Sequence, residues 1–298
     1  MAPIPRPVFS VALFITLSVA AQAGCLLLLW LSSFGQNPFP QLPLPMILMF
    51  GALAAGPLES LTASVPWRRF AWMLIAAVVA NAAYFAAMSA ADAGSWRYLA
   101  APGAALLLVT LLRGLSAYWS ALLSSMSVYI VATVLANYTF DSFIPVGDFF
   151  LINVGTFFFG ITFTQRDRVH RFGRRWVYAM ILAAAVSNVL MSLHLGTPLR
   201  YVFVGFLAIM LSETADTEVY ARLLHRPWFT RVASSNAVSA PLDTLIFTVL
   251  AFAGAGFATF GWMVQVIVTD ILVKYTSGLL AAVQIVTDRR KPAAAEGH

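Results

Sequence analysis

The sequence predicts an all-α polytopic membrane protein. Three observations lead there. Hydrophobic residues make up 60% of the 298 residues and charged residues only 10%, against about 25% charged in an ordinary soluble domain. The apolar residues come in runs of roughly twenty, the length that crosses a ~30 Å hydrocarbon core as a helix. The basic residues gather between alternate runs, which is the positive-inside pattern.

Taken in order, about ten transmembrane helices are expected. The first, 9–32, follows Arg6 and resembles a signal peptide, with Ala21-Gln22-Ala23 placed like a cleavage site. Its apolar run continues through Leu26–Leu31, too long for a signal core, so it reads as an uncleaved span. The second, 46–64, carries Pro57 and Glu59 near its end. The third, 70–90, is strongly apolar. The fourth, 98–112, is short and holds Pro102, so a re-entrant segment is its alternative. Spans at 115–138, 148–165, 176–194 and 200–221 follow. The ninth, 232–254, should kink at Pro241 and free a backbone carbonyl there. The tenth is 260–286.

The cationic residues test this count. Ten spans put Arg6, Arg68, Arg69, Arg113, Arg166, Arg168, Arg171, Arg174, Arg175, Arg222, Arg226, Arg231, Arg289, Arg290 and Lys291 on one face. Only Arg97 and Arg200 fall on the other, and Lys274 lies within a span. Both termini are therefore expected in the cytoplasm. The same pattern explains the pI of about 9.8 and the cluster at 166–175 without any nucleic-acid partner. Trp30, Trp67, Trp72, Trp96, Trp176, Trp228 and Trp262 fall where an aromatic belt would lie, and Trp262 is also a candidate for a cavity mouth.

Several chemistries are excluded. Cys25 is the single cysteine and the four histidines are scattered, so neither a disulfide nor a metal cluster is encoded. Walker-type and dinucleotide-type glycine loops are missing, as are the zinc-peptidase and serine-hydrolase signatures. No cofactor, no enzyme activity and no ATPase module are expected within this chain.

The acids point to a polar cavity. An Asp near a helix centre costs about 2.5–3.5 kcal/mol on insertion scales, yet Glu213, Asp216, Glu218, Asp243 and Asp270 all lie in the last three spans. Asp243 stands about 18 Å from the cytoplasmic edge at Arg231, and Glu213 about 13 Å from Arg222. Glu213, Asp216, Thr217 and Tyr220 share one helical stripe, and Asn236, Ser239 and Asp243 another. Gln265 and Thr269 share a face of the last span. Asp270 and Lys274, at i and i+4, are placed to form an ion pair along one helix. Asn137, Asn153, Thr156 and Asn188 are further polar residues in or near spans, where interhelical hydrogen bonding is the simpler role.

Residues from about 116 to 287 resemble the queuosine precursor transporter family, also called the vitamin uptake transporter family. The resemblance rests on an ordered set of segments. Val128-Tyr129-Ile130-Val131-Ala132-Thr133-Val134-Leu135-Ala136-Asn137 looks like the family's first span. Gly155 to Thr164, followed by Gln165-Arg166-Asp167, looks like its second span and exit. Gly173-Arg174-Arg175-Trp176 is similar to the start of its third. Ser212-Glu213-Thr214-Ala215-Asp216 resembles its Ser-Glu-x-x-Asp segment. Ser235-Asn236, with Asp243-Thr244 and Phe247, resembles its Ser-Asn-x6-Asp segment.

The resemblance implies a domain of six helices over 115–287 and import of 7-deazaguanines such as preQ0 or preQ1 across the inner membrane, for tRNA modification. A deazaguanine presents an N–H and an amino group side by side, which one carboxylate accepts together in strong charge-assisted bonds. Glu213 or Asp243 would take that edge, and Asp216 would balance the aminomethyl cation of preQ1. Asn137, Asn153, Thr156, Asn236, Gln265 and Asp270 complete the candidate substrate site. The partners are then a small molecule and the lipid bilayer, with transport facilitated or ion-coupled. Residues 1–114 add about four helices outside the resemblance, and 288–298 form a cytoplasmic tail. That extension reads as a degenerate extra module or as a dimerisation element of a homodimer. Rival readings are a vitamin-binding subunit of an energy-coupling-factor importer, with a separate ATPase, and a membrane scaffold.

Overall fold

The structure is a computed structural model that describes residues 6–33, 41–90, 96–196, 198–223, 225–226 and 228–288. The expected tail beyond 288, with Arg289, Arg290 and Lys291, lies outside the described residues, as do the side chains of Trp228, Thr217 and Tyr220. Among the described residues the chain forms ten α-helices. They are α1 (Arg6–Ser32), α2 (Leu44–Thr62), α3 (Trp67–Ala90), α4 (Ala100–Arg113), α5 (Ala117–Tyr138), α6 (Val154–His170), α7 (Arg174–Leu195), α8 (Leu199–Arg222), α9 (Trp228–Phe252) and α10 (Phe260–Asp288). The protein is an all-α membrane protein. Six of the described helices, α1, α2, α3, α5, α7 and α9, are long and apolar enough to cross a bilayer. Of the others, α4 has 14 residues and rises only about 21 Å, α6 has 17 residues with Arg166, Asp167 and Arg168 near its end, and α8 carries Arg200, Glu213, Asp216, Glu218 and Arg222.

Two boundaries differ from the sequence expectation. The start of the fourth span is a 3-10 turn, Trp96–Leu99, before α4 begins. The start of the sixth, from 148, is not helical at all. Phe143–Val146 (β1) and Phe150–Asn153 (β2) pair as an antiparallel hairpin, Phe143 opposite Asn153 and Val146 opposite Phe150. Hydropathy cannot separate an apolar strand from an apolar helix over so few residues. The turn decides it, because Gly147 takes φ +62°, where a Cβ would be strained.

The chain divides into two compact units. The first comprises 1–135 and 165–187. Its core joins Phe14, Leu58, Phe70, Met73, Ala77, Ala105 and Val109, with Phe14 and Phe70 edge to face at 6.2 Å. Gly51 lets α2 lie against α4 so closely that a Cβ there would sit 2.3 Å from the Ala101 carbonyl. Three polar side chains of this unit bond across helices. Asn81 donates to Ser18 at 3.0 Å, and Ser120 donates to Glu59 at 2.7 Å. Arg113 donates to the Thr62 carbonyl and, at 2.6 Å, to that of Val65, closing the C-terminal end of α2. Its guanidinium stands 4.5 Å from the Phe70 ring centre and 4.8 Å from that of Trp67.

The second unit comprises 136–164 and 188–298. Its apolar core joins Phe140, Phe143, Val204, Ala251, Phe252 and Val266. Trp262 packs into this core, 5.0 Å from Phe143 and 5.2 Å from Phe252, rather than at a cavity mouth. Arg200 closes the end of α9 as Arg113 closes α2, donating to the Leu250 carbonyl at 2.8 Å and to Ala253 at 3.2 Å. Pro241 frees the carbonyl four residues earlier, as its missing N–H requires. That carbonyl, on Ala237, accepts the Tyr275 hydroxyl at 3.2 Å.

Candidate functional site

The second unit holds a cleft of about 350 Å³, counted to its open mouth, with room inside for only about one water molecule. The end of α5 contributes Ala136 and Phe140, and the hairpin and α6 contribute Asn153, Gly155, Thr156 and Phe159. Gly205 comes from α8, Asp243 and Phe247 from α9, and Asp270 and Lys274 from α10. Two acids and one ammonium therefore face a cleft walled by three phenylalanines.

The charged groups are held individually. Lys274 donates to the Asp243 carboxylate at 2.7 Å and to the Thr244 hydroxyl at 2.8 Å. Both partners of the ion pair are almost fully buried, at 3% and 8% side-chain exposure. The sequence placed the lysine beside Asp270 on its own helix. The structure gives it to Asp243 on the neighbouring helix, because that side offers a carboxylate and a hydroxyl together. Asp270 instead accepts the Thr156 hydroxyl at 2.7 Å and faces the Asn153 backbone.

The hairpin end is fixed by Asn153. Its Oδ1 accepts the Gly155 amide at 2.7 Å, and its Nδ2 donates to the Phe140 carbonyl at 2.6 Å. The first bond caps the start of α6. Gly155 must be glycine here, since a Cβ would lie 2.6 Å from the Ala136 carbonyl. Behind the cleft, Asn137 donates to Asn188 at 2.7 Å. Its Oδ1 is buried without a hydrogen-bond partner, and a Cβ on Gly205 would approach that oxygen to 2.9 Å.

Of the nine site candidates, Asn153, Thr156, Asp243 and Asp270 thus line one cleft, and Asn137 adjoins it through Gly205. Glu213, Asp216, Asn236 and Gln265 do not line it. Asp216 accepts the Ser239 hydroxyl at 3.2 Å, which joins α8 to α9. Glu213, Asn236 and Gln265 are half-buried, and the Gln265 carbonyl accepts Thr269 at 2.7 Å. Sequence reasoning named Lys274 only as a partner for Asp270 and left it out of the candidate site, and it did not identify Phe140, Phe159 and Phe247 as the walls. A lysine in an apolar span was the available signal, since an intramembrane charge marks function by default.

Residues 153–287 match the family described as Putative vitamin uptake transporter. This is the family that the ordered segments of 116–287 resemble. The vitamin uptake transporter match contains both acids, Lys274, Asn153 and Thr156, while Asn137 and Phe140 precede it. No curated protein and no solved structure matches the chain. A transporter family and a membrane-embedded helical fold agree.

Proposed function

We propose that the protein imports a queuosine precursor, a 7-deazaguanine such as preQ0 or preQ1, across the inner membrane. Transport is facilitated or ion-coupled, through ten spans with both termini cytoplasmic. One observation carries the reading. Two buried carboxylates from adjacent helices line an aromatic-walled cleft inside the segment that matches vitamin uptake transporters. Asp270 is the acid for the guanine-like edge, because Asp243 is already engaged by Lys274. Its carboxylate accepts a neighbouring N–H and amino group in a bidentate bond, and Phe140, Phe159 or Phe247 stacks the base. The narrow cleft must widen to admit a bicyclic ligand. Glu213, Asp216, Asn236 and Gln265 act outside this first contact set, on the path of entry or release. Residues 1–114 form the added module, and association into a homodimer belongs to it.

Uptake of labelled preQ1 into cells lacking their own route tests this. Asp270→Asn is expected to abolish accumulation with membrane insertion intact. Normal uptake by that variant would contradict the proposal. The vitamin label of the family favours a second reading, the binding subunit of an energy-coupling-factor importer. Uptake that persists in a host without the separate ATPase module argues against it.

A further inference from the structure

The bonds around Lys274 describe an ion site more than a simple ion pair. Its ammonium is set among a carboxylate oxygen at 2.7 Å, a hydroxyl oxygen at 2.8 Å and the Phe159 ring, whose centre lies 5.4 Å away. An aromatic face within about 6 Å attracts a cation through its quadrupole. A carboxylate, a hydroxyl and a ring face are donors that suit a small monovalent cation as well as an ammonium. The site is also not sealed into packed core. Lys274 and Asp243 both line the open cleft that holds Asp270.

We propose that Asp243, Thr244 and Phe159 form a monovalent-cation site that the chain fills with its own Lys274. The tethered ammonium takes the place a free sodium ion would hold beside the substrate. Two consequences follow. Asp243 is neutralised by a fixed cation, so this site does not wait on an ion from solution. Uptake, under the transport reading above, then draws on no sodium gradient through this site. Asp270 remains the acid open to a ligand.

The test needs no substrate, so its failure is distinct from failure of the deazaguanine reading. Unfolding midpoints of the purified full chain are measured at equal ionic strength in N-methylglucamine, Na+ and n-propylammonium. The wild-type midpoint is expected to be the same in all three. Lys274→Ala deletes three methylenes and the ammonium, which n-propylammonium replaces. Lys274→Met keeps the apolar stem and removes the charge, which Na+ replaces. Each variant should fall in N-methylglucamine and rise by about 5 °C with its matching cation. A wild-type midpoint that rises with Na+ overturns the proposal, because the site would then not be filled. So does the failure of both variants to be recovered by any cation, whether they are stable throughout or unfolded throughout.

Discussion

A buried ammonium carries three N–H donors and a charge, and each must find a partner. Lys274 finds Asp243 and Thr244 by hydrogen bonds and the face of the Phe159 ring. Breaking a buried pair by removing one member costs about 3–5 kcal/mol, because the other charge is stranded. Asp243→Asn should therefore lower stability strongly, and Asp243→Asn combined with Lys274→Met should recover most of it. Denaturation midpoints of the single and double variants check this, and equal losses in both would contradict it. The Thr156 hydroxyl holds a carboxylate, a bond in the range of about 1.5–3 kcal/mol. Thr156→Val should accordingly weaken ligand binding by about tenfold, read by titration, without preventing folding. The burial of Asp243 and Asp270 was legible in the sequence, since acids inside apolar runs must be kept from lipid. The partner of Lys274 was not. Spacing along one helix shows which residues are neighbours on it, while facing helices offer competitors that spacing cannot rank.

Elements explain where each side chain points. Pro241 breaks the α9 ladder two residues before Asp243, and Tyr275 takes up the freed carbonyl beside Lys274. The carbonyl freed by the proline was expected in advance, but the tyrosine that answers it was not, because Tyr275 and Ala237 lie 38 residues apart. Tyr275→Phe removes about 1 kcal/mol and should lower the unfolding midpoint by about 2–4 °C. In the first unit, Gly51→Ala would push a methyl to 2.3 Å from the Ala101 carbonyl. Overpacking of this kind costs about 1–3 kcal/mol, so this variant should unfold at lower temperature than wild type. The hairpin at 143–153 is the element that hydropathy missed. Its strands are as apolar as the helix that follows, and only Gly147 in the left-handed region marks the turn.

At the scale of the whole molecule, ten α-helices among the described residues stand where ten apolar runs were expected, with two starts moved, and six of them are long and apolar enough to cross a bilayer. The helices were legible because each run is closed by charged, Gly or Pro residues. The division into compact units was not, since contact partners do not follow the order of the chain. The arginine pattern predicts cytoplasmic termini, so a fluorescent protein fused after His298 should be bright and a phosphatase fused there inactive. The reverse would contradict the ten-span topology. The central claim is that the cleft around Asp270 binds a deazaguanine. The most direct measurement is thermal stabilisation of the purified protein by preQ0, preQ1, queuine and guanine. A ligand that binds only the folded state contributes about 2.7 kcal/mol at one hundred times its dissociation constant. The account predicts a higher midpoint with preQ0 or preQ1 that is lost in Asp270→Asn. No shift with any of the four, in folded and monodisperse protein, would contradict it.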